Sequence, residues 1–484
     1  MFMLRTVVVL IMMAALTVAC GPQAVQQTFN LKLSTAPVQV SGPSPYGQCT
    51  LGVAGGERFV NGEVETWVAV NPQALKEGRV NLVGVWMADR WSNGAGSGVV
   101  SAASFDGGAT WETHPLAFSG CAEGALDPSA GRAGDPWVAF GPDGRAYTTA
   151  LIIDKPARTY AIGVATSGDG GRTWGDFTLL QQATRQDDAA AVDKESVTAD
   201  PTRPGTAYVV WMRNLAPTRE AISGPTMFAK TTDGGKTWTV PRTIFTAGPA
   251  EMSSGSIIVA DARTGFLYHF FRWIEGVGNT QMKNSVGLQV SRDAGETWSQ
   301  AERVIAVQSR PVMHPNFSGW VRTFGELPMP AIDPVTGRLY VAWEDARFSS
   351  QVDIALAYSD DEGKTWSAPV QVDAAKESAF RPTVAVNSRR QVGVSYYQFP
   401  SAKADGQRMP TEMVLTVLSP DLKDRKEHRV AGPFDLSYAP KAPGPFLGDY
   451  LGLTAVDDWF HMFYVTANQD PGNPTDVHAV SIRP

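Results

Sequence analysis

An all-β chain folded as one β-propeller of four-stranded antiparallel blades is what this 484-residue sequence predicts, with seven blades favoured and six as the fallback. Three observations predict it. An octapeptide ending in Thr-Trp occurs five times, as SFDGGATW at 104, SGDGGRTW at 167, TTDGGKTW at 231, SRDAGETW at 291 and SDDEGKTW at 359. Seven short apolar strands, each ending in a turn headed by Asp, Asn or Gly, run in counterpoint to it. The final unit breaks off where its fourth strand should begin, and a matching strand stands near the N-terminus.

The spacings between octapeptides are 63, 64, 60 and 68 residues, too long for a helical solenoid and suited to a four-stranded blade with generous loops. A worn sixth copy, Ser419-Pro420-Asp421, follows 60 residues later. Each first strand, from TWVAVNP (66–72) and PWVAFGPDG (136–144) to LGLTAVDD (451–458), is followed by a second apolar or aromatic run such as LVGVWMADR or RLYVAWEDAR. A third run, for example DIALAYSD, leads into the octapeptide. Strand, tight turn, strand, loop, strand, octapeptide, strand is the order of an antiparallel meander. The last unit ends at DVHAVSIRP, while STAPVQVS (34–41) echoes WSAPVQVD (366–373), the strand after the fifth octapeptide. The N-terminal strand is therefore expected to complete the C-terminal blade and remove an exposed edge.

Residues 1–20 stand apart: Arg5 precedes an apolar stretch, Val7–Ala19, that is too short to span roughly 30 Å of bilayer as a helix, so it reads as a secretory signal. Its LTVAC ending resembles a bacterial lipobox with Cys20 as the lipidated residue. The expected division is 1–20 signal, 21–33 tether and 34–484 propeller, exported to the cell envelope as a lipoprotein or secreted, with a lipid anchor the sole membrane attachment. The two other cysteines, Cys49 and Cys121, precede the first strands of neighbouring blades and suit one disulfide in an exported chain. The net charge of −7, without any Lys/Arg run, excludes a nucleic-acid footprint. A monomer is expected.

The octapeptide Ser-x-Asp-x-Gly-x-Thr-Trp resembles the Asp box, or bacterial neuraminidase (BNR) repeat. With DRWSNG (89–94), GDPWVAFGPDG (134–144), DKES (193–196) and FLGDYLGL (446–453), nearly all of the chain after its signal is similar to bacterial sialidase-like propellers. The box itself reads as a turn device. Its carboxylate can accept backbone N–H groups of its own turn, and its glycine permits a positive φ. Asp106, Asp169, Asp233, Asp293 and Asp361 are accordingly structural.

In a meander the boxes share a face with the 1–2 turns, so the long loops between strands 2 and 3 and between blades gather on the opposite, open face. That face collects Asp89, Arg90, Trp91, Asp135, Asp193, Glu195, Arg213, Arg272, Glu326, Asp345, Arg347, Arg381, Asp449 and Tyr450, with Trp273, Trp320, Tyr396 and Tyr397 near its rim. Arginine forks with a few carboxylates and flat rings suit an acidic sugar. The resemblance implies a sialidase scheme, in which three arginines hold the substrate carboxylate, an Asp is the acid/base, and a Tyr nucleophile is activated by a Glu. Mapped by role, Tyr450 is the first choice of nucleophile and Tyr397 the second. Glu195 or Glu326 is the activator and Asp135 or Asp89 the acid. Arg90, Arg347 and Arg381 form the clamp, Arg272 and Arg213 are in reserve, and Trp91 is a substrate contact.

The chain departs from the sialidases in having seven blades rather than six and in lacking their early Phe/Tyr-Arg-Ile-Pro motif, of which Phe380-Arg381-Pro382 is a late echo. Two further readings stand beside the sialidase: a non-catalytic lipid-anchored propeller that binds a glycan or protein, and a glycosidase using two carboxylates such as Asp135 and Glu326. For the latter, a separation of about 5–5.5 Å implies retention and about 6.5–9.5 Å inversion. No phosphate-loop, His-Glu-x-x-His or Gly-x-Ser-x-Gly motif occurs, and the six histidines lack metal-ligand spacing. No cofactor is expected. A structural calcium ion among the loop aspartates is left open, without a motif to support it.

Overall fold

The computed structural model describes residues 31–484 except 54, 185–188, 217–221, 279–281, 315–318, 325, 376 and 401–407. Residues 1–20, with Cys20, and most of the 21–33 tether lie outside the described residues.

Seven four-stranded antiparallel sheets follow one another along the chain, which is the predicted seven-bladed propeller. The strands of blade I are Val64–Val70, Leu82–Ala88, Gly98–Ser104 and Glu112–Pro115. The innermost strands of blades II to VII are Arg132–Phe140, Ala189–Ala199, Glu251–Ala260, Met329–Ile332, Ala379–Val386 and Gly452–Val456. Blade VII is completed by the N-terminal strand Val38–Gln39, which pairs antiparallel with Thr475–Ile482 through Val38↔Ala479 and Gln39↔His478. The echoed segment in blade V, Val370–Gln371, is likewise a fourth strand. Sequence echo and structural role coincide.

Each box occupies a 3–4 turn. In the first, Asp106 Oδ1 accepts Ala109 N at 3.0 Å and Thr110 N at 2.9 Å, while Thr110 Oγ1 donates to Asp106 Oδ2 at 2.6 Å. Ser104 Oγ donates to the same carboxylate and accepts Gly108 N. The turn needs two successive left-handed residues, Gly107 at φ 75° and Gly108 at φ 88°, which explains the invariant second glycine among the five boxes. Ala294 and Glu362 fill the first of these positions in boxes four and five at φ 56° and 65°, where a side chain is tolerated because it points outward. Ser419 and Asp421 repeat the Ser–Asp bond at 2.6 Å in the 3–4 turn of blade VI, so the worn sixth copy keeps its place in the fold. Cys49 and Cys121 form the predicted disulfide, with Cα atoms 5.5 Å apart.

Candidate active site at the open face

The site begins with a backbone irregularity that recurs around the ring. The innermost strands of blades I, II, III, IV and VI each lose register with their neighbour near their open-face end, between Val64/Trp67, Gly134/Trp137, Asp193/Ser196, Ser254/Ile257 and Phe380/Thr383. The first extra residue of each bulge is left-handed: Glu65 at φ 57°, Asp135 at 51°, Lys194 at 57°, Gly255 at 60° and Arg381 at 57°. Four of these five are charged and buried. Left-handed non-glycine residues cost on the order of 1–3 kcal/mol each, and bulges of this kind re-aim side chains at functional ends of sheets.

What the bulges bring together is a charged cluster. Lys194 Nζ lies 2.7 Å from Asp135 Oδ2 and 2.6 Å from Asp449 Oδ2, and all three side chains are at most 8 % exposed. The lysine thus ties blades II and III to the link that enters blade VII. Arg322 Nη2 approaches Asp449 Oδ2 at 3.7 Å. A cavity of about 170 Å³ opens over the cluster, lined by Glu65, Arg90, Asp135, Asp193, Lys194 and Arg322 against an apolar wall of Met87, Leu151 and Ile153.

The protonation pattern follows from burial and from the lysine. Burial alone would raise Asp135, but the adjacent Lys194 outweighs it and holds the carboxyl at about 2. Asp193 is pushed up to about 7, by burial first, against the pull of Lys194 and with the Asp135 charge adding to the rise. Burial, reinforced by Asp135, also drives Glu65 and Glu195 well above the carboxylate range. Lys194 itself stays charged because Asp135 and Asp449 overcome its desolvation. Burial lowers Arg90 and Arg381 from the usual guanidinium value.

Donors are left over. Arg90 Nε, Arg322 Nε, and Arg381 Nε and Nη1 are buried without a hydrogen-bond partner. Arg90 Nη1 is held by Ala95 O at 2.8 Å, and Arg381 Nη2 by Arg322 O at 3.1 Å, so the three guanidinium groups are fixed in neighbouring positions. Phe446 lies between two of them, its ring centroid 4.9 Å from Arg90 Cζ and 4.7 Å from Arg322 Cζ.

The sequence-predicted residues separate accordingly. Arg90 and Asp135 line the cavity, and Arg381 lies beside Arg322. Arg347 does not line it. Its Nε and Nη2 are both 2.9 Å from Asp345, two residues away in its own blade, which corrects its place in the clamp. Arg272 pairs with Glu326 at 3.2 Å and donates to Asn284 Oδ1, so these two neutralise one another outside the cavity. Arg213 and Asp89 are likewise not among its lining residues. Asp89 is instead spent on Asn61 N at 2.9 Å. Trp91 is a packing residue rather than a contact surface, since it is 4 % exposed with Arg132 Cζ 4.2 Å from its ring.

Tyr450 sits under the cluster, edge-on to Trp137 and Trp67, and its hydroxyl donates to Pro136 O at 2.9 Å. Burial, with Glu65 and Asp135 adding to it, raises its pKa well above 10, the opposite of an activated phenol. Tyr397 donates to Val465 O at 2.8 Å and is raised to about 12, also by burial first. Glu195 faces a narrow space beside Tyr450 and Trp137 rather than the cavity over the cluster, and both its oxygens are unpartnered.

Three residues of the site escaped sequence reasoning. Glu65 and Lys194 occupy the same register as Asp135, two residues before the Trp or Ser that resumes each ladder, and aligning GEVETW, AGDPW and VDKES on that position would have found them. Arg322 had no such signal, because an interblade link delivers it. Among the described residues no group of three His, Cys, Asp or Glu side chains is arranged to hold a metal ion, and no helix is long and apolar enough to cross a membrane.

Residues 205–396 match the BNR repeat-like domain. No curated protein matches the chain. Among solved structures, the α-L-arabinanase of Penicillium chrysogenum in complex with arabinobiose is 13 % identical with a TM-score of 0.50, covering 81 % of this chain and 99 % of its own. The GH93 α-L-arabinofuranosidase of Fusarium graminearum, also with arabinobiose, is 12 % identical with a TM-score of 0.51, covering 93 % and 98 %. NanB sialidase of Streptococcus pneumoniae is 9 % identical, with a TM-score of 0.43 and coverage of 93 % and 99 %. At such identities the first two share a fold with this chain, and the third carries no argument.

Proposed function

Because the chain is an Asp-box propeller whose open face carries one charged cavity, we propose that it is a glycoside hydrolase for an acidic glycan. The guanidinium groups of Arg90 and Arg322 in the cavity lining carry this reading. Two cationic forks beside one ring-sized space suit a ligand carboxylate. The cavity is well below the roughly 300–1,000 Å³ of drug-sized sites, a size suited to a single sugar ring.

Asp193, which keeps its proton up to about pH 7, is the acid that protonates the leaving oxygen, and the ionised Asp135 hydrogen-bonded to it orients that proton. Lys194 holds Asp135 ionised, while burial and the Asp135 charge keep Asp193 protonated, so both states are present at neutral pH. The sialidase form of the reading, with Tyr450 as nucleophile, is opposed by its hydroxyl bond to Pro136 O. Glycan binding without turnover is the second reading. It is favoured by the way Lys194 neutralises both Asp135 and Asp449, which weakens the carboxylates available to attack.

Sialosides and uronic-acid glycosides, assayed for binding and for hydrolysis, test all three. Hydrolysis that is abolished in Asp193→Asn and retained in Tyr450→Phe supports the two-carboxyl scheme, whereas loss in Tyr450→Phe alone restores the tyrosine nucleophile. Binding without hydrolysis selects the second reading. Absence of binding to any acidic sugar overturns the proposal.

A further inference from the structure

Next to two of the cavity's cations, Arg322 and Lys194, one residue carries two costs at once. Phe324 has φ 48°, a left-handed conformation that is an outlier for a bulky side chain. The residue is also 41 % exposed. That link is the interblade segment between blades IV and V. A short hairpin, Val312–Met313 with Trp320–Val321, starts it, and Arg322 then bonds backbone-to-backbone with Pro445 and through Nη1 to Ala442 O at 2.9 Å. Thr323 Oγ1 donates to Glu344 Oε2 at 3.0 Å. These anchors set the backbone that leads into Phe324. The ring centroid lies 5.2 Å from Arg322 Cζ and 5.7 Å from Lys194 Nζ, both cavity residues.

A phenyl ring bordering a ring-sized polar cavity, exposed to solvent and kept there against backbone strain, is a surface for stacking. We propose that Phe324 is the platform of a second subsite, on which the sugar ring next to the one in the cavity stacks, so that the site selects an oligosaccharide over a monosaccharide. This rests on the acidic-glycan reading of the cavity. The occupant follows from continuity. A ring seated among Arg90, Arg322 and Asp193 has its glycosidic partner at the mouth, and an apolar ring face there matches the C–H face of a pyranose. Tyrosine would serve equally in that role; a small side chain would not.

The test is direct binding by calorimetry with four probes: N-acetylneuraminic acid and galacturonic acid, against sialyllactose and digalacturonic acid. Stacking of one ring is worth on the order of 1 kcal/mol, so the matching oligosaccharide binds about fivefold tighter than its monosaccharide. Phe324→Ala abolishes that gain and leaves monosaccharide affinity unchanged, while Phe324→Tyr keeps the gain. Equal affinity of wild type for mono- and oligosaccharide overturns the proposal and leaves the cavity reading intact. So does a Phe324→Ala variant weakened equally toward both, which is the result expected if the ring merely shields Lys194. Failure of all four probes to bind removes the acidic-glycan reading and this subsite with it. Thermal melting of each variant establishes that it is folded, and Phe324→Tyr carries the test if Phe324→Ala is not.

Discussion

Replacing Lys194 with methionine tests the electrostatic centre of the molecule. The side chain is 8 % exposed and bridges Asp135 at 2.7 Å and Asp449 at 2.6 Å. Removing one member of a buried pair leaves the other charge uncompensated, at a cost of about 3–5 kcal/mol, and here two carboxylates are orphaned by one change. The cost depends on pH in a defined way. Asp135 is depressed to about 2, so its contribution is full above its unfolded value of about 3.9 and is lost as pH falls toward 2. Lys194 is raised, so its contribution is full below about 10.4 and is lost as pH climbs above that. The wild-type bridge therefore operates across the window from about pH 4 to 10. In Lys194→Met, Asp135 and Asp449 face Glu65, Asp193 and Glu195 with Arg90, Arg322 and Arg381 as the remaining cations. Asp135 then titrates upward, and the variant gains stability as it protonates. Denaturant unfolding at pH 7 and pH 4.5 measures the difference. The expected loss is about 3–5 kcal/mol at pH 7, shrinking clearly at pH 4.5. A loss under about 1 kcal/mol, or one independent of pH, would refute the account of Lys194 as the group that sets the protonation of the cluster.

The remaining expectations concern the scaffold. Asp106→Ala removes the acceptor of four bonds within its box and lowers stability by about 1–2 kcal/mol, read as a reduced melting temperature, while ligand binding at the opposite face is unchanged. Replacing Cys49 and Cys121 together by serine frees a loop closed over a separation of 72 residues, worth about 4 kcal/mol by chain entropy, and is measured by denaturant titration under oxidising conditions. A double variant as stable as the oxidised wild type would show the link to be dispensable.

The fold was legible in the sequence because its signals are local and repeated. A box is a self-contained turn whose carboxylate bonds residues three and four positions ahead, so each copy announces itself whatever surrounds it. Five copies set the strand order, and the order places the boxes on one face and the long loops on the other. The closing strand was legible too, because Val38–Gln39 and Val370–Gln371 meet the same requirement of a fourth strand. Asp135 was found because it precedes a conspicuous Pro-Trp, whereas Glu65 and Lys194 were passed over in the same register. The shared register of GEVETW, AGDPW and VDKES carries that signal only when the copies are aligned, since no residue of a single copy marks the bulge.

Partnership was beyond the sequence. Arg347 and Arg90 look alike on paper, each at the end of a second strand near an acid. Arg347 finds Asp345 two residues away and is consumed, whereas Arg90 reaches the cavity with Nε unspent. Tyr450 followed the right motif, but burial against Trp137 and a bond to Pro136 O make it a poor nucleophile. The sequence by itself determined how many blades there are, how the ring closes and which face is open, since those follow from short-range turn chemistry repeated along the chain. Which charges meet, which are cancelled and which remain for a ligand was decided only by tertiary structure. A pKa or a free N–H depends on neighbours hundreds of residues away, as Lys194 depends on Asp449 across 255 residues.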